Sequence, residues 1–165
     1  MARKTNDGIY LQEKLASILK AYKEYNPAFD HRFSDTKSAR GNYIKSQPGD
    51  FMLLVPFGAL LIECKSTVTG IGLLTLAHHG IVGKRQIAKH RLWQRAGHPS
   101  LYLYADLSKG KDKAVYEWHD GRYVIDKSYE PVLGGPLYDL SGSLKIVLHI
   151  IKTRYNPVRE PYATR

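Results

Sequence analysis

A single cysteine, Cys64, stands in this chain of 165 residues. One thiol excludes an intramolecular disulfide and any zinc site built from several cysteines. Long apolar runs are missing too, so no segment reaches the length of a bilayer-spanning helix. The first residues, Met1 to Asp7, lack the apolar centre of a signal peptide. The expectation is a soluble, cytoplasmic protein without a membrane partner. Internal repeats and low-complexity segments are absent. So is an HExxH helix, and Gly70 and Gly72 lack the Lys-Ser/Thr ending of a phosphate loop. Acids are the scarcer charge: 15 Asp and Glu oppose 25 Lys and Arg, for a net charge of +10.

That surplus is spread along the chain, and 43% of the residues are hydrophobic, enough for one folded domain with a real core. A folded domain with this much positive charge suits a polyanionic partner. The bland alternative is charge that serves only solubility.

Hydrophobic spacing predicts the elements. Asn6 or Asp7 caps a helix from about Ile9 to Tyr25, with Ile9, Leu11, Leu15, Ile18, Leu19 and Tyr22 as its apolar stripe; Asn26-Pro27 ends it. A short strand is expected near Phe29 to Phe33, inside a basic stretch where Arg32, Lys37, Arg40 and Lys45 interleave with Phe29, Phe33 and Tyr43. Two apolar strands follow, near 50–55 and 59–65, joined at Pro56-Phe57-Gly58. A helical turn at 73–77 leads to His78-His79, and a basic helix runs from about Gly83 to Ala96, stopped by Gly97. A strand at 101–106 precedes a hairpin, 114–118 with 122–125, turning at Asp120-Gly121. The last helix spans about Leu144 to Thr153, before a basic tail. The order predicts an α/β protein built around one mixed sheet flanked by helices.

Chemistry concentrates at the two central strands. Side chains alternate faces along a strand, so Glu63 and Lys65 point one way and Cys64 the other, as a buried small hydrophobe. Asp50, opening the preceding strand, can meet Glu63 and Lys65 at one spot. Two carboxylates, with the backbone carbonyl of Cys64 between them, form an all-oxygen donor set for a hard divalent ion. Lys65 can orient or deprotonate water, or neutralise charge developing on a phosphate. An exposed Glu-X-Lys pair that is merely solvated is the structural alternative.

Gly49-Asp50 before an apolar hairpin, whose second strand runs Leu60-Leu61-Ile62 into Glu63-Cys64-Lys65-Ser66, resembles the signature of the PD-(D/E)XK, or restriction-endonuclease-like, nuclease superfamily. Asp50, Glu63 and Lys65 match its three signature positions. Gly49 departs from the proline beside the aspartate in the motif's name. The resemblance covers roughly residues 8–106 and implies a single nuclease domain over 1–165, with hairpin and last helix at 114–153 and a basic tail at 154–165. It implies Mg²⁺ as cofactor, with Mn²⁺ able to substitute. Glu13 looks like the extra metal-site glutamate that many members carry on an N-terminal helix. Gln86 looks like the glutamine on the helix after the motif. Within the superfamily the chain is most similar to Holliday-junction resolvases, which implies a homodimer cutting four-way DNA junctions. Other members of the superfamily (restriction, repair or end-processing nucleases) share the chemistry, and a non-catalytic basic nucleic-acid-binding protein is the rival from another class.

Phosphate contacts are expected from Arg32, Lys37, Arg40 and Lys45 before Asp50, and from Lys84, Arg85, Lys89 and Arg91 on a helix without acids. A solvated charged face is the alternative there. His78 and His79 are adjacent, without a spaced ligand set, so a loop role is expected of them.

Overall fold

The structure is a computed structural model that describes residues 7–33, 49–70, 72, 84–126, 130–135 and 137–155. The expected turn at 73–77, His78, His79 and the tail from 156 lie outside the described residues. The first helix, α1 (Asp7–Tyr25), buries Leu11, Leu15 and Leu19, which repeat every fourth residue and so share one face. It stops where Asn26 Nδ2 donates to the Tyr22 carbonyl at 2.9 Å and Pro27 cannot continue the ladder.

Five strands follow in a mixed sheet of sequential order: β1 (Phe29–Arg32), β2 (Phe51–Val55), β3 (Gly58–Thr67), β4 (Ser100–Asp106) and β5 (Val115–Asp120). β1, β2 and β3 form an antiparallel meander. The β2–β3 hairpin closes with Val55 opposite Gly58, whose φ of 140° favours glycine. β3 and β4 are parallel and therefore need a crossover, which α2 (Lys84–Arg95) supplies. Gly97, at φ 86°, ends that helix in the expected left-handed turn. β5 pairs antiparallel with β4.

The sheet has two unlike faces. One is apolar: Phe51, Leu53, Leu60, Ile62, Cys64, Leu101, Leu103, Tyr116 and Trp118 pack with α1 and with Leu144, Val147, Leu148 and Ile151 of the last helix, α4 (Ser143–Tyr155). By strand alternation the other face carries Leu61, Glu63 and Lys65 on β3, Tyr102 and Tyr104 on β4, and Glu117 and His119 on β5. α2 lies over this polar layer. The protein is thus an α/β sandwich, as its sequence order predicts. Among the described residues no helix is long and apolar enough to cross a membrane.

The hairpin expected at Asp120-Gly121 does not form. Residues Gly121–Asp126 are a short helix, α3. Asp120 Oδ1 accepts the Arg122 N–H at 3.0 Å, a capping geometry that starts a helix and competes with the hairpin turn. The same buried carboxylate is gripped by Arg122 Nη2, Arg154 Nη1 and the Tyr155 hydroxyl, at 3.3, 3.3 and 3.1 Å. The outer edge of β5 is met instead by Pro131 and Leu137. Glycine is required at 121 by close approach: an added Cβ would lie 2.0 Å from Ser100 Oγ and 3.1 Å from the Ser100 carbonyl. Gly121→Ala should therefore lower stability by about 1–3 kcal/mol, read as a reduced urea midpoint with unchanged m-value.

Candidate active site

β3 outruns β2. Phe51 pairs with Ile62, and beyond that point β3 continues to Thr67 with no β2 residue beside it. The Cys64 N–H, facing this vacated edge, would be an orphan donor. Asp50, just ahead of β2, supplies its Oδ2 at 2.7 Å. Its own N–H donates to the Ile62 carbonyl at 3.0 Å, so backbone and side chain both grip β3. In an extended strand N–H and C=O of one residue face the same edge, so the Cys64 carbonyl looks toward Asp50 as well. Gly49 fits the same crowding: a Cβ there would lie 3.0 Å from Leu61 Cδ1 and 3.2 Å from the Ile62 carbonyl.

The second oxygen of Asp50 belongs to α1. Gln12 Nε2 donates to Asp50 Oδ1 at 2.8 Å, and Arg32 Nη2 donates to Gln12 Oε1 at 2.9 Å. The Arg32-Gln12-Asp50 chain fixes both the carboxylate and the amide orientation. Glu13, expected at this position, is exposed on α1 instead. The physical reason is helical phase: Glu13 lies two steps of 100° from buried Leu11, opposite the apolar stripe, whereas Gln12 flanks it. Arg32, expected to contact phosphate, lies beside the site with the Gln12 amide as its observed partner.

Glu63 is 2% exposed. Lys65 Nζ and Gln86 Nε2 both meet its Oε1, each at 2.6 Å. Burial, and next the negative charge of Asp50, push the Glu63 carboxyl up to about 7; Lys65 and Gln86 pull the other way without cancelling them. Cys64 is buried in the apolar core, and that burial, followed by the Asp50 and Glu63 charges, holds its thiol well above its ordinary range. It is a packing residue, as its strand face predicts.

One helical turn after Gln86 on the same face of α2 is His90, fully buried. Its ring lies 4.6 Å from that of Tyr102, the β4 neighbour of Glu63. Burial, then the Lys65 charge, lower its pKa to about 3, so the imidazole is neutral. Neither ring nitrogen has a hydrogen-bond partner among the described residues. Gln12 and His90 are the site's unforeseen members. The phase of α1 could have revealed the first, and the four-residue spacing from Gln86 the second.

Lys84, Arg85 and Arg91 are exposed on α2 and Lys89 is half-buried there, while Lys37, Arg40 and Lys45 lie outside the described residues. No group of three or more His, Cys, Asp or Glu side chains converges among the described residues. Asp50, Glu63 and the Cys64 carbonyl make a sparse all-oxygen donor set. That composition fits Mg²⁺, which keeps several waters and takes only one or two carboxylates from the protein. Two carboxylates near enough to repel, one buried and one half-buried, also leave negative charge that a divalent ion would offset. No protein-family model matches this chain, and no curated protein matches it.

The Glu63 carboxyl has a testable linkage. Its folded pKa, about 7, lies above the ordinary 4.5, so the folded chain holds more protons between those values. Stability of the metal-free protein from this group is full below about 4.5 and is lost as pH rises toward 7. His90 has the opposite sign: with its pKa lowered from 6.5 to about 3, its contribution is lost as pH falls through that interval. Comparing the parent with Glu63→Gln isolates the first effect. The variant should gain relative stability between about pH 5 and about pH 7.5, and millimolar Mg²⁺ should narrow the gap at the higher pH. A difference independent of pH, measured by urea unfolding, would contradict the raised carboxyl.

Proposed function

We propose that this chain is a divalent-metal-dependent DNA endonuclease of the PD-(D/E)XK type, hydrolysing phosphodiester bonds in four-way junctions as a cytoplasmic homodimer. The observation that carries the reading is the meeting of Asp50, Glu63, Lys65 and Gln86, with Lys65 and Gln86 both held on Glu63 at 2.6 Å. Acid-acid-lysine sites built on adjacent strands are what metal-assisted phosphodiester hydrolysis needs. The succession of helix, three-strand meander, crossover helix and parallel strand supports a restriction-endonuclease-like fold.

Each residue then has a task. Asp50, Glu63 and the Cys64 carbonyl would hold Mg²⁺, or Mn²⁺ in its place; the ion when bound supplies Lewis-acid activation of water and offsets charge at the phosphate. Gln12 and the Cys64 N–H aim the Asp50 carboxylate. Gln86 aims that of Glu63. The Lys65 ammonium, pinned beside Glu63, is placed to orient the attacking water and to oppose charge on the phosphorane. Arg32 and the basic side chains Lys84, Arg85, Lys89 and Arg91 would position the sugar-phosphate backbone without reading sequence.

The test incubates four-way, nicked, flapped and linear DNA with the protein, in Mg²⁺ or in EDTA, beside Asp50→Ala and Lys65→Ala. Symmetric junction cleavage in Mg²⁺ alone is the expected outcome. Each variant should lose about 10²–10³ in rate or more. Junction affinity should stay within about threefold, because the phosphate contacts lie elsewhere. Cleavage of linear duplex as fast as of junctions would make the chain a different nuclease of the same chemistry. Binding without cleavage of any substrate would make it a non-catalytic nucleic-acid-binding protein.

A further inference from the structure

Among the described residues, the face of the sheet that carries Glu63 and Lys65 is covered unevenly. α2 lies over it at β3 and β4, where Gln86 meets Glu63 and His90 meets Tyr102. On the β1–β2 side no described residue lies over that face in the same way, and side chains there are partly exposed. There β1 presents Phe29, His31 and, one residue past its end, Phe33. These alternate positions share one side, and the His31 and Phe33 rings touch edge to face at 5.0 Å between centroids. Phe29 is 59% exposed and its cross-strand partner Leu54 is 40% exposed. The row ends at the catalytic acid: the Phe33 N–H donates to the Asp50 carbonyl at 2.9 Å.

We infer that Phe29, His31 and Phe33 form a stacking platform for unpaired nucleobases of a DNA strand whose phosphate lies at Asp50 and Glu63. The platform rests on the nuclease reading and adds a substrate feature to it, an unstacked segment beside the bond that is cut. Phe29 and His31 are exposed and Phe33 half-buried, and aromatic rings offered on a β-surface stack every base without sequence preference. Distance agrees: β1 lies two strand spacings from β3, about 10 Å, within reach of bases a nucleotide or two along the strand from a phosphate at Asp50 and Glu63. Charge agrees as well, because the chain carries +10 and the ligand is a polyanion.

A second copy of the chain fits the patch less well. Even at about 200 Å² for each ring, three partly covered rings fall short of the roughly 800 Å² per partner that a stable interface buries.

The experiment uses the full chain in EDTA, so that binding is read without cleavage. Two probes of one sequence are compared: a single strand carrying a fluorescent purine analogue, and the blunt duplex. The parent should quench the analogue in the single strand. Phe29→Leu with His31→Leu leaves Asp30 and Arg32 of the strand in place but removes two stacking faces. That variant should lose about tenfold in single-strand affinity for each ring, with duplex affinity unchanged. Phe29→Tyr with His31→Phe should restore it. An equal loss for both probes, or none, would overturn the platform. So would a change from dimer to monomer in sedimentation with single-strand affinity intact, which would make the row an interface between copies. If the leucine variant fails to fold, the parent's own signal decides, because unchanged emission on binding would sink the idea. Stacking that survives in a protein with no cleavage activity would leave the platform standing and remove the nuclease.

Discussion

One hydrogen bond organises the site: the Asp50 carboxylate on the Cys64 N–H, at 2.7 Å. It exists because β2 stops at Phe51 while β3 runs on to Thr67, leaving a backbone donor without a ladder partner. An orphan N–H near a buried strand costs as much as a lost hydrogen bond, so the fold itself demands an acceptor there. Supplying that acceptor as a carboxylate turns a backbone requirement into a fixed negative charge. Asp50 therefore has a structural role that does not depend on any chemistry, and its position is set by the sheet, with little left to side-chain freedom. Gln12 and Arg32 extend the same bond to α1 and β1, so three elements agree on where the carboxylate points.

Glu63 is held differently, by geometry that works against its charge. Its burial and the neighbouring Asp50 both favour the protonated form, and Lys65 with Gln86 only partly offsets them. Replacing such a buried pair by apolar residues often costs nothing, whereas removing one partner strands the other. A polar layer of Glu63, Lys65 and Tyr102 from the sheet and His90 from α2 is thus weak ground for stability, in contrast to the leucine-rich face under α1 and α4. His90 fits the same pattern, a neutral imidazole with neither nitrogen bonded among the described residues. Polar groups kept at such cost are easier to understand as a site than as a scaffold.

Local patterns with one meaning were legible in the sequence. The α1 stripe, the 97 glycine and the alternation that sends Cys64 to the apolar face and Glu63 to the opposite one all follow from period and backbone preference. Asp120-Gly121 has two meanings. The dipeptide favours a hairpin turn, yet an aspartate also caps a helix, and here Arg154 and Tyr155, more than thirty residues on, settle the choice. Glycine at 121 likewise reflects contact with Ser100, a tertiary fact that no turn preference encodes. The exchange of Glu13 for Gln12 is a different failure. Residue chemistry pointed to the acid, but the phase of the stripe already put it on the solvent side.

The two charge scales of the molecule are opposed, and that opposition bears on the proposed reaction. At long range a net charge of +10 draws in a polyanion. At close range the spot where a phosphate would sit is lined by two carboxylates, with Lys65 already committed to one of them. Above a pH of about 7, where Glu63 ionises, that spot repels the group the rest of the surface attracts. Under the nuclease reading, a divalent cation between phosphate and carboxylates would reconcile the two, one that accepts oxygen ligands and takes few from the protein. On that reading the proposed metal thus has a physical motive in the placement of Asp50 beside Glu63 and in the burial of Glu63.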